Sequence, residues 1–316
     1  MALIKKLNLT TLPEKIQTFE DIEVSTKTII AMGNLSINIE KLFEHLPITP
    51  YVIVPKKRGR KRKEVMEIPN NDISSGSIIT LKYMDNLRGV DLKKRKASKK
   101  GKKKYFRNAV TVVMYVVNKF INFKISKNGK FQLTGCKKEF HAHKCIEYIW
   151  KHMENIGKNE QIYSITNDET YPRIIFNTVM TNIDFNLGFE VNRENLDRHI
   201  NQQTEYRSLL ETSFGYTGVN IKFPMDQTRD IKLILREFKD GKWSTEETGY
   251  KTYLNMLTDK ERQRELNKQR YNTFLVFHSG NVIMSGRHVD YMKPQFYRFL
   301  KIIDKCKNII EEKLDI

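Results

Sequence analysis

Residues 122–135 read NFKISKNGKFQLTG, and residues 273–286 read TFLVFHSGNVIMSG. The second stretch repeats the first at an offset of 280 − 129 = 151 residues, so that Phe123 matches Phe274, Gly129 matches Gly280, Leu133 matches Met284 and Gly135 matches Gly286. In each copy an alternating apolar run meets an Asn-Gly or Ser-Gly pair and gives way to a second alternating run. Alternation marks a strand with one buried face, and a glycine-containing pair between two such runs marks a tight hairpin. An amphipathic helix is predicted after each hairpin. A repeat of this length sets the architecture before any single motif is weighed.

Working outward, the first half reads as strand, short helix, strand, strand, strand, long helix. Residues 24–37 alternate as a strand with a bulge at Gly33-Asn34. Residues 39–46 place Ile39, Leu42, Phe43 and Leu46 on one face of a short helix that Pro47 stops. Residues 106–117 are rich in Val and read as a buried strand, joined through Asn118-Lys119 to a strand over 120–126. The following helix spans about 139–155, with Ala142, Cys145, Ile146, Ile149 and Met153 in one apolar stripe. The second half repeats this order: a strand over 174–184, a helix over 193–203, a strand over 216–223, the hairpin, and a helix carrying Met292, Phe296, Phe299, Leu300 and Ile303 with Pro294 in its first turn. Two insertions interrupt the pattern. One, at about 48–104, includes a candidate extra strand over 77–84 and is expected to be partly disordered. The other, at about 224–270, carries a helix over 259–270 with a Thr258/Glu261 capping box. The expected boundaries are a first repeat over 1–157 and a second over 158–316. Ten strands and four helices joined mainly as hairpins imply an α+β fold, an antiparallel sheet with its helices on one face. A sheet left open on its other face is a binding surface.

The net charge is +19 over 316 residues. Residues 56–63 (KKRGRKRK) contribute seven positive charges and residues 93–104 (KKRKASKKGKKK) nine, so two tracts hold sixteen of the nineteen. Such tracts are drawn to polyanions, and PKKRGRKRK also resembles a nuclear localisation signal. Three cysteines make no disulfide framework and suit a reducing compartment. No apolar run of membrane-spanning length occurs, so a soluble intracellular protein is expected. Cys136, His141, His143 and Cys145 fall close together, but Cys145 belongs to the apolar stripe and His143 points elsewhere, so a structural role is favoured over zinc. No nucleophile–base pair, phosphate loop or spaced carboxylate pair stands out, which argues against an enzyme.

Two tandem halves, each ending in strand–xG–strand–(T/S)G–long helix, resemble the TATA-box-binding protein (TBP) family. KFQLTGCK and NVIMSGRH are similar to its hairpin-to-helix element, and VSTKT near the start to its opening strand. The large insertions make the chain more like the TBP-like proteins of large DNA viruses. The resemblance implies a saddle: a curved antiparallel sheet whose concave face sits in the DNA minor groove, with helices on the convex face. It implies that Asn177 reads the groove, that Phe214 and Phe277 are wedges, that Leu275 and Ile283 line the groove, and that Ser285 supplies the hydroxyl. In the first half, Thr28 stands in place of the groove-reading Asn and Ser126 in place of the second Phe. Lys124 and Gln132 replace apolar residues, Thr134 is retained, and Phe106 matches the first wedge. A wedge between base steps unstacks them and opens the groove to an apolar surface, a mode of which TBP is itself the type example; Phe can do this and Ser cannot. The implied function is transcription initiation at A/T-rich promoters, without cofactor and as a monomer, with double-stranded DNA, general initiation factors or a viral RNA polymerase as partners. The implied location is the host nucleus or a cytoplasmic viral factory, with packaging in the virion as a further option. The alternatives are a structural or virion-packaged protein that uses the saddle for protein contacts, and a nonspecific nucleic-acid binder acting through its basic tracts.

Overall fold

The computed structural model describes residues 9–13, 16–53, 73–92, 107–166, 169–211, 217–225 and 231–312. Both basic tracts lie outside these residues, as do Phe106, Phe214 and the disorder expected around the first insertion. In chain order the elements are β1 (Val24–Gly33), β2 (Leu35–Ile37), α1 (Ile39–His45), β3 (Ile78–Tyr83), β4 (Asn86–Gly89), β5 (Ala109–Val116), β6 (Lys119–Ser126), β7 (Lys130–Cys136), α2 (Glu139–Gly157), β8 (Tyr163–Ile165) and β9 (Arg173–Asn186). They continue as α3 (Arg193–Gln203), β10 (Arg207–Glu211), β11 (Gly218–Pro224), β12 (Lys232–Lys239), β13 (Lys242–Gly249), α4 (Tyr250–Asn255), α5 (Asp259–Leu266), β14 (Tyr271–Phe277), β15 (Asn281–Gly286) and α6 (Val289–Ile310). The class is α+β, as expected.

The described chain forms two compact units. The first-repeat unit comprises Ile29–Asn177 with Leu233–Thr248, and the second-repeat unit comprises Met1–Thr28, Thr178–Lys232 and Gly249–Ile316. This partition differs from a cut at 157/158, because β1 and β9 each contribute a segment to both units. In the first-repeat unit the strand order runs β1-β7-β6-β5-β3-β4, with β12 on β9 and β13 on β12; β2 pairs separately with β8. In the second-repeat unit it runs β10-β11-β14-β15-β9-β1.

Each unit has its own core, built by the alternation read in the sequence. In the first-repeat unit Val110, Val112, Met114, Ile121, Phe123, Ile125, Phe131 and Leu133 turn toward α2 and meet Ala142, Cys145, Ile146, Ile149 and Met153. In the second-repeat unit Val219, Ile221, Phe223, Phe274, Val276, Val282 and Met284 meet Met292, Phe296, Phe299, Leu300 and Ile303 of α6. Phe274 stacks on Phe299 with ring centroids 4.2 Å apart. Asparagine side chains cap the two short helices alike: Asn38 accepts from the Lys41 backbone N–H, and Asn192 from that of Asn195.

The repeated glycines are fixed twice over. Gly129 and Gly280 close the two hairpins at φ +67° and +75°. A Cβ at Gly129 would press on the carbonyl of Leu35, and one at Gly280 on the carbonyl of Phe189. The same hydrogen bonds recur at both sites. Gly33 donates to the carbonyl of Gly129 and Leu187 to that of Gly280; Ile37 donates to that of Lys127 and Val191 to that of His278.

Several details differ from the sequence reading. Residues 117 and 118, not 118 and 119, form the β5–β6 turn, with φ of 46° at Val117 and 62° at Asn118. Helix α6 begins at Val289, so Pro294 lies inside it, beyond the first turn. The insertion at 224–270 holds a β-hairpin and two helices, and the helix after the Thr258/Glu261 capping box ends at Leu266. Fifteen strands and six α-helices occur among the described residues, against ten and four expected.

Candidate nucleic-acid interface

With Phe274, Val276, Val282 and Met284 turned toward α6, the residues between them turn to the other face. The registers of the second-repeat sheet line these up in cross-strand rungs. One rung runs Leu209–Asn220–Leu275–Ile283–Asp184. The next runs Arg207–Lys222–Thr273–Ser285–Asn182. Beyond the first, Phe277 stands opposite Gly218, and Asn281 opposite Asn186. Leu209 is 63% exposed, and Met180, further along the same side of β9, is 37% exposed. A groove beside the β14–β15 hairpin is lined by Phe277, Ile283, Asp184, Asn186, Asn281 and Thr217, among others. The centre of the face is therefore apolar, with Lys222 and Arg207 toward one edge and Asp184 on β9.

The corresponding face of the first-repeat sheet differs chemically. Its rungs run Leu87–Lys82–Thr111–Lys124–Gln132 and Gly89–Thr80–Val113–Asn122–Thr134. Ser126 stands opposite Ala109, and Tyr115 opposite Phe120. The Thr134 hydroxyl donates to the Asn122 carbonyl at 2.9 Å, and Lys82 pairs with Asp91 at 2.6 Å. Amines, amides and hydroxyls here take the places that Leu275, Ile283 and Phe277 hold in the other unit.

The structure thus brings Leu275, Phe277, Ile283 and Ser285 together on one open face, and Lys124, Gln132 and Thr134 on another. Thr28 is half-buried in β1. Phe106 and Phe214 lie outside the described residues. Asn177 stands apart: it is 0% exposed, so its side chain is not at the surface where groove reading would occur. The inserted strand β12 pairs with β9 immediately before Asn177, setting Leu235 opposite Ile175 and Ile234 opposite Phe176. The sequence reading passed over Asp184, Asn182, Asn220 and Lys222. The alternation of β9 and β11 could have found all four, since every second residue of a strand shares a face.

The side chains of the Cys136–Cys145 segment have partners within the protein. The Lys138 backbone N–H donates to His141 Nδ1 at 3.1 Å, and His143 stands edge-on to Phe176 with ring centroids 4.5 Å apart. Burial pushes the Cys145 thiol well above its ordinary value, the opposite of what a metal-binding thiolate needs. Among the described residues no cluster of three or more His, Cys, Asp or Glu side chains could hold a metal ion. No described helix is long and apolar enough to cross a membrane.

No protein-family model matches the chain. Over 222 residues, 66% of the chain, it is 28% identical to "Uncharacterized protein 335L" of Invertebrate iridescent virus 6. Over 231 residues, 67% of the chain, it is 25% identical to a protein of Acanthamoeba polyphaga mimivirus named "TATA-box-binding protein-like". The matched stretches span 63% and 57% of those relatives, less than two thirds of either. Among solved structures, TBP of Methanococcus jannaschii aligns over 90% of this chain and 98% of its own at 14% identity, with a TM-score of 0.39. The resemblance carried by the repeated hairpins is thus met by a viral relative of the same description.

Proposed function

We propose that this chain, a divergent TBP-like protein similar to viral relatives over two thirds of its length, binds double-stranded DNA in the minor groove to initiate transcription. The observation that carries this reading is the open face of the second-repeat sheet. There Leu275, Ile283 and Phe277 stand in register, turned away from their own core, with Ser285 and Lys222 in the adjoining rung. The minor groove offers mainly acceptors and a width, and is opened by apolar side chains inserted between base steps. Phe277, at the end of β14, is the wedge on this reading, and Phe214 is its partner. The first-repeat face, with Lys124 and Gln132, contributes phosphate and polar contacts without a second kink. Each repeat offers its own sheet face to the duplex, and the surfaces behind the sheets, with the inserted segments, recruit initiation factors or a viral RNA polymerase. The protein acts by binding and not by catalysis.

A pair of phenylalanines tests this. Phe277→Ala should abolish the preference for A/T-rich duplexes and reduce DNA bending by at least several-fold, while lowering stability by only ~1 kcal/mol, because the ring is only partly buried. Phe274→Ala, three residues away and fully buried, should do the reverse and cost ~3–5 kcal/mol. Gel shifts and a bending assay on both proteins, beside urea melts, separate the roles. If Phe277→Ala melts early, or bends DNA as before, the face is not the binding surface.

A further inference from the structure

One residue on the open face is chemically out of place for a surface that meets only A·T pairs. Asp184 occupies the β9 end of the rung Leu209–Asn220–Leu275–Ile283–Asp184, directly opposite Ile283. Its neighbours Ile183 and Phe185 are buried in the core, so Asp184 points to the open side, where it is exposed. It lines the same groove as Phe277 and Ile283. Among the described residues no ion pair to it is seen, and the two cations of these rungs, Lys222 and Arg207, stand on β11 and β10, beyond β15 and β14.

An ionised carboxylate accepts hydrogen bonds and donates none. The minor-groove edge of an A·T pair also presents only acceptors, adenine N3 and thymine O2. Pressed against such a pair, Asp184 would be desolvated with no donor facing it, a costly arrangement. Narrow A-tract grooves carry an enhanced negative potential, which worsens the fit. The single donor available in the minor groove is the exocyclic N2 amino group of guanine.

We propose that Asp184 is a specificity-determining residue that accepts a hydrogen bond from the N2 amino group of one guanine. The preferred site is then A·T-rich beneath Leu275 and Ile283 and interrupted by one G·C pair beneath Asp184. This deepens the minor-groove reading above and rests on it.

The test starts from duplexes selected by the wild-type protein from a randomised pool. Each guanine of the preferred duplex is replaced in turn by inosine, which removes the N2 amino group and leaves the major-groove edge unchanged. At one position the wild type should lose about tenfold in affinity. Asp184→Asn and Asp184→Ala should bind guanine and inosine there within twofold of each other. Selection with Asp184→Asn should accept A·T at that position, since an amide can donate to adenine N3 or thymine O2. Placing 2,6-diaminopurine opposite thymine at that position, which restores a minor-groove amino group, should restore wild-type binding. If the wild type selects A·T-rich DNA and inosine changes affinity less than twofold at every position, the role of Asp184 is overturned and the minor-groove reading stands. If the wild type selects no sequence at all, the minor-groove reading itself fails, and the guanine contact with it.

Discussion

At the scale of single residues, the backbone makes the least negotiable demands. Gly280 has a positive φ, and a Cβ there would collide with the Phe189 carbonyl, whose neighbour Val191 anchors the same turn through its bond to His278. Gly280→Ala should therefore lose at least ~1–3 kcal/mol from backbone strain alone, read as a shift of the urea midpoint; a change under ~0.5 kcal/mol, the usual surface level, would contradict it. This demand was legible in the sequence because the glycine recurs at the same offset as the strands around it. The turn residue Val117 was not legible, since nothing marks a β-branched residue for positive φ. Asp304 makes a different kind of demand. Its carboxylate accepts from the backbone N–H groups of Thr10, Thr11 and Leu12 and from the Thr11 hydroxyl, and so fastens the segment before β1 to α6. Burial pushes this carboxyl up, but the bonds from Thr11, Thr10 and Leu12 outweigh burial and hold it below the usual range. A depressed carboxylate contributes stability that is present above the unfolded value, roughly pH 4, and that is lost as pH falls through the lower folded value. Asp304→Asn should thus be ~1 kcal/mol less stable than wild type at pH 7, the difference between charged and neutral acceptors. The gap should narrow below about pH 4, and melts across pH 2–7 that kept it constant would refute the assignment.

At the scale of elements, hydrophobic periodicity revealed the strands with one buried face and missed those without one. Strand β14 alternates strictly, and its bounds follow from the residues. Strand β13 has no buried residue, so KWSTEETG gave no period-two signal. A sign was nevertheless present in Asp240-Gly241, both at positive φ as a two-residue hairpin turn requires. What holds the β12–β13 hairpin is long-range and could not be read from local pattern. Arg236 is buried, pairs with Glu147 of α2 at 2.7 Å, bonds Thr245 at 3.0 Å and lies 5.2 Å from the Trp243 ring centroid. Trp150 of α2 packs against Phe238 and Trp243 of the same hairpin. Arg236→Ala should cost about 2 kcal/mol, the worth of a charged hydrogen bond, because Glu147 keeps Lys144 at 2.7 Å as a partner. Hydrogen exchange should then quicken in β12 and β13 before the rest of the unit; uniform exchange would mean the hairpin is not held this way. The pairing of β12 with β9 was likewise invisible in the sequence, since β12 reaches β9 from a distant part of the chain.

At the scale of the whole molecule, the two repeats share backbone devices and differ in the chemistry of their open faces. The hairpin glycines, the asparagine caps and the bonds from Gly33 and Leu187 recur, while Lys124, Ser126 and Gln132 stand where the other repeat has Leu275, Phe277 and Ile283. Positions matched in backbone and unmatched in side chain allow the missing chemistry to be supplied by one substitution. Ser126 ends β6 on the open face, opposite Ala109, and is half-buried there. Ser126→Phe would place a ring at the position equivalent to Phe277, on the side of the sheet away from Phe123 and Ile125. The fold should absorb it within about ±0.5 kcal/mol, as for other surface changes. If the wedge reading is right, DNA held by this variant should bend more than with wild type, because a second apolar side chain can now enter a base step. Ser126→Ala should bend DNA as the wild type does, since neither side chain is a wedge. Combining Ser126→Phe with Phe277→Ala should move the kink toward the first-repeat end, which fluorescence distances from donors placed at either end of the duplex would resolve. A variant that stays folded and bound yet bends DNA no more than wild type would mean that the first-repeat face does not meet the groove, and that the asymmetry between the repeats marks a division of labour between DNA and another partner.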